Sequence, residues 1–321
     1  MVKKIFKVFI CLSALSVVTA CGSKDSQSSI APTKTKYMDV VYSDFDKNVN
    51  LVDIYLPTNS AYTGKRPLVI YNHGGGWSSN SRKITYLDNA INGFLKAGYA
   101  VAKVEYHLDV SHYESDLEVA GEIVPSVQIA DETKYPQMIY DIKAAVRYLR
   151  ANADTYNLDP NNFFFFGDSA GAHLSMLAAA TENNPSYEDQ TMGYENVSTH
   201  INGIISLFGP SLYSLEEQMT QLSMLAVFGK EYTEEQWKHI SPYYQLGQSN
   251  TFVPTFFAHG EKDNTVPISH SREMEAKVKS ILGDDKVETY YHADGTHADS
   301  MHFASNEAVK LYREFLKKYT V

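Results

Sequence analysis

The chain has 321 residues, 44% of them hydrophobic, which is enough apolar material for one large mixed domain and argues against disorder. A formal net charge of −10, with no polybasic patch, disfavours nucleic acid and anionic lipid surfaces as partners. The two cysteines, Cys11 and Cys21, leave the rest of the chain without a disulfide, a cysteine metal site or a thiol nucleophile, so a hydroxyl is the expected nucleophile of any covalent chemistry.

From the N-terminus, Met1–Lys7 is basic, Val8–Val18 is a short apolar run, and Thr19-Ala20 precedes Cys21. This order is that of an export signal, too short to persist as a spanning helix. Val18-Thr19-Ala20-Cys21 resembles the lipobox of bacterial lipoproteins. The expected organisation is therefore a signal peptide over 1–20 and a polar tether over 21–36 from a lipidated Cys21, with a folded domain over 37–321. That implies an exported protein held at the cell envelope, possible surface exposure included, whose contact with membrane is through its lipid anchor alone.

Beyond the tether, strand and helix patterns alternate. Met38–Tyr42 and Leu51–Leu56 read as a hairpin of edge strands, and Pro67–Asn72 as a strand ending at His73. Residues 83–97 carry Ile84, Leu87, Ile91 and Leu95 on one helical face, and Gly98 is the stop. Ala100–Glu105 is the next strand. Pro136 opens a helix through Met138, Ile142, Ala145, Val146 and Leu149. Phe163–Phe166 is an uninterrupted apolar strand, as expected when both faces are buried. Ser169–Ala180 reads as a helix, Ile201–Phe208, Val253–Ala258 and Val287–Tyr291 as strands, and the residues from Ala308 to Tyr319 as a last helix. The rhythm predicts an α/β fold with a mostly parallel central sheet and helices on both faces. Segments 108–135 and 210–250 break the rhythm. Each follows a strand, so both are expected above the carboxyl ends of the sheet, as the rim of a ligand site. Acids such as Glu114 and Glu118 in the first, and Tyr213, Tyr232, Trp237, Tyr243 and Tyr244 in the second, predict a polar, aromatic rim.

Gly167-Asp168-Ser169-Ala170-Gly171 lies between a strand and a helix. Glycines on either side permit a turn too tight for a Cβ, which would hold the Ser169 hydroxyl exposed at its tip, the nucleophile elbow of α/β-hydrolases. His73-Gly74-Gly75-Gly76-Trp77 follows another strand, and its unobstructed amides could bind an oxyanion together with that of Ala170. A serine nucleophile needs a base, and the base an orienting acid. His297 and Asp263 each follow a strand, in the chain order this fold requires. His292 and His302 are alternative bases, and Glu261 is the alternative acid. The eleven histidines are dispersed, so neither a metal nor another cofactor is expected.

Together these motifs, with Asp141–Arg150 (DIKAAVRYLR), Leu158-Asp159-Pro160 and HGEKDNTVP, resemble the α/β-hydrolase esterases of the hormone-sensitive-lipase and carboxylesterase-like group, most of all the bacterial feruloyl/acetyl-xylan-esterase-like branch. The resemblance spans roughly residues 38–319 and implies Ser169 as nucleophile, Asp263 as acid, His297 as base, and oxyanion donors at Gly74, Gly75 and Ala170. It implies hydrolysis of a small-molecule or glycan ester with a short acyl group. Two departures stand out: Tyr106-His107-Leu108 has histidine where many relatives carry arginine, and only the tether precedes Met38, where a helical cap is expected in the hormone-sensitive-lipase-like enzymes. The same chemistry would serve an arylformamidase or peptidase, but the glycine tripeptide before Trp77 favours ester or formamide substrates. A lipid-anchored binding protein on a hydrolase scaffold is the reading from another class, and the intact Ser, Asp and His argue against it.

Overall fold

A computed structural model describes residues 35–58, 64–249 and 252–321; the export signal, Cys21 and the tether as far as residue 34 lie outside the described residues. The strands are β1 (Lys36–Val41), β2 (Leu51–Tyr55), β3 (Arg66–Asn72), β4 (Ala100–Val104), β5 (Val110–Glu114), β6 (Leu117–Val119), β7 (Glu122–Val124), β8 (Val127–Glu132), β9 (Leu158–Asp168), β10 (Gly203–Leu207), β11 (Thr255–Gly260) and β12 (Val287–His292). The helices are α1 (Asp88–Lys96), α2 (Gln137–Ala151), α3 (Ala170–Ala180), α4 (Gln218–Phe228), α5 (Glu234–Ile240), α6 (Pro242–Ser249), α7 (Ser269–Leu282), α8 (Ser300–Phe303) and α9 (Asn306–Tyr319).

Eight strands make one sheet in the order β1-β2-β4-β3-β9-β10-β11-β12. The β1–β2 and β2–β4 pairs are antiparallel and the rest are parallel, the arrangement of the α/β-hydrolase fold. Phe163–Phe166 shows why the central strand is apolar throughout. Phe163 and Phe165 pack on one face with Leu68, Ile70 and residues of α2 and α3, while Phe164 and Phe166 pack on the other with Val69, Tyr71 and residues of α1 and α9. All four rings are buried, each worth roughly 1.5–3 kcal/mol relative to exposure.

The helix expected over 83–97 begins later, at Asp88. Its first turn is drawn into polar tertiary contacts instead. Arg82 reaches Glu105 at 2.7 Å, Lys83 reaches the fully buried Asp53 at 2.7 Å, the Ile84 carbonyl accepts from Lys103 at 2.6 Å, and Tyr86 donates to Asp168. Helical geometry would break these pairings, and tertiary contacts override the weak local preference.

Segment 108–135 is not a plain loop. It folds into two antiparallel pairs, β5 with β8 and β6 with β7. Its clue is the Ala120-Gly121 turn, with φ of +53° and +81°, flanked by two three-residue strands. Segment 210–250 supplies α4, α5 and α6, and α4 packs against β8. His107, which stands where many relatives are expected to carry arginine, is held by Asp141. Its Nδ1 and its backbone N–H donate to Asp141 Oδ2 at 2.7 and 2.8 Å, and the hydrogen bond to that carboxylate pushes the imidazole pKa up.

Candidate active site

The loops after β3, β9, β11 and β12 carry His73–Trp77, Ser169, Asp263 and His297, so residues far apart in sequence meet above one edge of the sheet. Ser169 leaves β9 with φ +50° and ψ −122°, a conformation that costs of order 1–3 kcal/mol and persists only where packing enforces it. The glycines permit that packing: a Cβ on Gly171 would lie 2.1 Å from the Asn72 carbonyl, and one on Gly167 2.7 Å from the Gly171 carbonyl. The Ser169 N–H is held by the Leu207 carbonyl at 2.9 Å, which fixes the turn to β10.

His297 stands between Ser169 and Asp263. Its Nδ1 lies 2.8 Å from Asp263 Oδ2 and its Nε2 lies 3.0 Å from Ser169 Oγ. A carboxylate only accepts, so Nδ1 carries the proton and the Nε2 lone pair faces the hydroxyl. Burial opposes the charge on Asp263, but hydrogen bonds from His259 and His297 outweigh it and hold this carboxyl well below the usual range. Its other oxygen accepts from the N–H groups of Thr265 and Val266 at 2.9 and 2.8 Å. His259 is a member of the site that sequence reasoning does not single out. Its Nε2 lies 3.2 Å from Asp263 and 2.8 Å from the Val266 carbonyl, and its Nδ1 accepts from Ser271 at 2.7 Å. The signal lies in the HGEKD segment, where it stands four residues before the acid on the end of β11. Phe208 packs its ring 4.9 Å from that of His297.

The alternatives are engaged elsewhere. His292 and His302 stack at 3.7 Å, with His302 donating to Asp299 at 2.6 Å, and Glu261 pairs with Arg272 at 2.6 Å.

The three glycines of the loop differ in what they face. The Gly74 amide is among the groups that hold the buried Asp168 carboxylate, which also accepts from Tyr71 at 2.7 Å and from Tyr86. A Cβ at Gly74 would lie 3.1 Å from that of Ser169, underneath the turn rather than in the cleft. Gly74 therefore sits against Asp168 and is not among the residues that line the cleft. Gly75 and Gly76, with φ of +126° and +57°, line the cleft beside Ser169, and Ala170 opens α3, where first-turn amides lack helical partners. Trp77 anchors the loop by donating to His173 Nδ1 at 3.2 Å, while His173 donates to the Ile240 carbonyl at 2.9 Å. Burial pushes that imidazole down to about 4, so it stays neutral.

Ser169 and His297 open into a cleft of about 690 Å³, within the range of small-molecule sites. Both irregular segments contribute to it: Tyr113, Val124, Val127 and Gln128 from the first, and Met219, Leu222 and Ala226 from the second. The rim expectation holds in position but not in composition. Tyr213, Tyr232, Trp237, Tyr243 and Tyr244 do not line this cleft. Tyr213 packs on Tyr243 and His270, and Trp237 on Tyr244 with its indole N–H on the Leu212 carbonyl. Among the described residues, no group of three or more His, Cys, Asp or Glu could hold a metal ion.

The fold and this serine–histidine–aspartate arrangement mark the chain as an α/β-hydrolase. It belongs to the BD-FAE family, whose model matches residues 52–115 and 123–278. Esterase LipC of Mycobacterium tuberculosis is 26% identical over 251 residues, 74% of this chain and 54% of that protein. The chain spans about half the length of the curated relatives it matches. Among solved structures, a truncated carbohydrate esterase from gut microbiota is similar in fold, with TM-score 0.72 and 23% identity over 89% of this chain and 96% of that one. The propionate-bound esterase 2 of Thermogutta terrifontis is similar with TM-score 0.62 and 23% identity, covering 87% and 93%.

Proposed function

We propose that this protein is a serine esterase that hydrolyses short-acyl carboxylic esters, acetyl or feruloyl groups on carbohydrate being the favoured class. The observation that carries the reading is His297 standing within hydrogen-bond reach of both Ser169 and Asp263. Ser169 Oγ attacks the ester carbonyl as His297 Nε2 takes its proton, and Asp263 stabilises the resulting imidazolium. The carbonyl oxygen becomes an oxyanion received by the amides of Gly75, Gly76 and Ala170. Collapse expels the alcohol, which leaves with the proton from His297, and the acyl group stays on Ser169. Water then repeats the cycle, giving up its proton to His297 and releasing the acid. The names of the relatives favour esters as substrates, and the Thermogutta terrifontis esterase of similar fold has structures with propionate and with butyrate bound.

The cleft is lined by polar Ser79, Asn80 and Thr265 as well as by apolar Val124, Val127, Met219 and Leu222. Efficiency is therefore expected to fall at least about tenfold from acetyl or butyryl to long-chain esters, equivalent to about 1.4 kcal/mol in the barrier. Measuring kcat/KM along a chain-length series checks this, and a maximum at long chains would contradict it.

We further propose that the enzyme works at the cell envelope, anchored through Cys21, on the strength of the lipobox-like run before that residue. Cys21→Ser should move the protein from the membrane to the soluble fraction with unchanged kcat. Equal membrane association of both forms would refute the anchor.

A further inference from the structure

Trp77, Tyr86 and Tyr113 line the catalytic cleft, and they differ in how they are held. Trp77 is buried with its indole N–H on His173, and Tyr86 is half-buried with its hydroxyl on Asp168. Tyr113 is 68% exposed. Val127, Ala226 and Val266 line the same cleft and are buried, so they close its inner wall while Tyr113 stands at its lip. The ring is nevertheless fixed in place. Tyr113 on β5 faces Gln128 on β8 across the antiparallel pair, and its hydroxyl donates to Gln128 Oε1 at 3.3 Å. Gln128 is tied in turn to the glycine loop, with Nε2 donating to the Gly76 carbonyl at 2.7 Å. The hydroxyl is at the edge of the ring, so this hydrogen bond holds the ring without covering a face.

An acetyl group stays close to Ser169, so the part of the ester that reaches the lip is its alcohol. A pyranose presents a C–H-lined face and a girdle of hydroxyls. An aromatic face takes up the first by contact, and short polar side chains take up the second. The cleft supplies both, since Ser79, Asn80 and Ser126 also line it and are exposed. We propose that Tyr113 is a specificity-determining residue: its exposed ring is the platform on which the sugar ring of the ester's alcohol stacks. The inference rests on the ester-hydrolase reading above and narrows its substrates to esters of pyranose alcohols. It gives the hairpin insertion a role in choosing the substrate as well as in walling the cleft.

The test compares kcat/KM on the monoacetates of methyl xylopyranoside, glucopyranoside and galactopyranoside with kcat/KM on ethyl acetate, which has the same acyl group and no ring. The wild type should favour at least one pyranoside. Tyr113→Ala should lower that preference by about tenfold, mostly through KM, since stacking holds substrate and transition state alike. Tyr113→Thr, which suits a strand and also lacks the ring, is the second variant if the first folds poorly. Tyr113→Phe keeps the ring face and drops the hydroxyl, so its preference should stay within about twofold of wild type. An unchanged preference in Tyr113→Ala would overturn the proposal, even where both kinds of substrate slow together, because a structural defect in the cleft slows both. An equal loss in Tyr113→Phe would overturn it too, by assigning the effect to the hydrogen bond with Gln128. The two readings fail separately: a wild type labelled at Ser169 and active on ethyl acetate, with no preference for any pyranoside, sinks only the role of Tyr113. A wild type that hydrolyses neither kind of ester sinks the ester-hydrolase reading and the platform with it.

Discussion

Ser169→Ala is expected to leave a folded protein whose kcat is lower by on the order of 10⁶, the scale on which a serine hydrolase loses its nucleophile. A residual acceleration on the order of 10³ over water should persist, because the oxyanion amides and the cleft remain. The fold should survive because the hydroxyl's side-chain partner is the catalytic His297, and the strained turn is held by backbone contacts and glycine packing that alanine does not disturb. Single-turnover and steady-state assays on a chromogenic acetyl ester, with a thermal melt alongside, check both halves. Near-wild-type turnover would remove Ser169 from the chemistry.

His297→Ala should cost about as much, since nucleophile and base act as one unit and losing either disables both. Asp263→Asn should cost about 10⁴-fold, the scale seen when an amide in place of the acid favours the wrong imidazole tautomer. This second substitution has a further consequence. His259 and His297 both donate to Asp263, and their hydrogen bonds depress its pKa against the opposing effect of burial. A depressed carboxylate contributes stability above its unfolded value of about 3.9 and loses it as pH falls through the folded value. Asp263→Asn should therefore lower the melting temperature at neutral pH and narrow the gap to wild type under strongly acidic conditions. His292→Ala and His302→Ala should keep most activity, because these rings pack on each other and neither lines the cleft at Ser169. An active His297→Ala beside a dead His302→Ala would show that the base had been misplaced.

The parts of this site legible in the sequence are those in which local sequence and tertiary demand coincide. Gly167 and Gly171 flank Ser169 because neighbouring backbone leaves no room for a Cβ, so the need is written into adjacent positions. Asp263 and His297 are accessible because each follows a strand, and strand ends are where this fold gathers its ligands. The oxyanion register is not accessible. Gly75 and Gly76 line the cleft while Gly74 lies against Asp168, a difference made by contacts across the turn and invisible in a run of identical residues. The aromatic residues of segment 210–250 mislead for a related reason: composition does not say which way a ring faces, and Tyr213 and Trp237 turn to packing partners within the domain. The late start of α1 has the same origin, since the charges of Arg82 and Lys83 are drawn to Glu105 and to the buried Asp53, which are distant in sequence.

Ser169 Oγ is the atom expected to become acylated. Peptide mapping by mass spectrometry after reaction with a fluorophosphonate probe tests this at the atom concerned, since the serine oxygen displaces fluoride and retains the phosphonyl group. One adduct is expected, on the peptide that carries Gly167-Asp168-Ser169-Ala170-Gly171, formed in step with the loss of esterase activity and absent from Ser169→Ala. An adduct on a different residue that tracks the loss of activity, or full hydrolysis by protein completely labelled at Ser169, would contradict it.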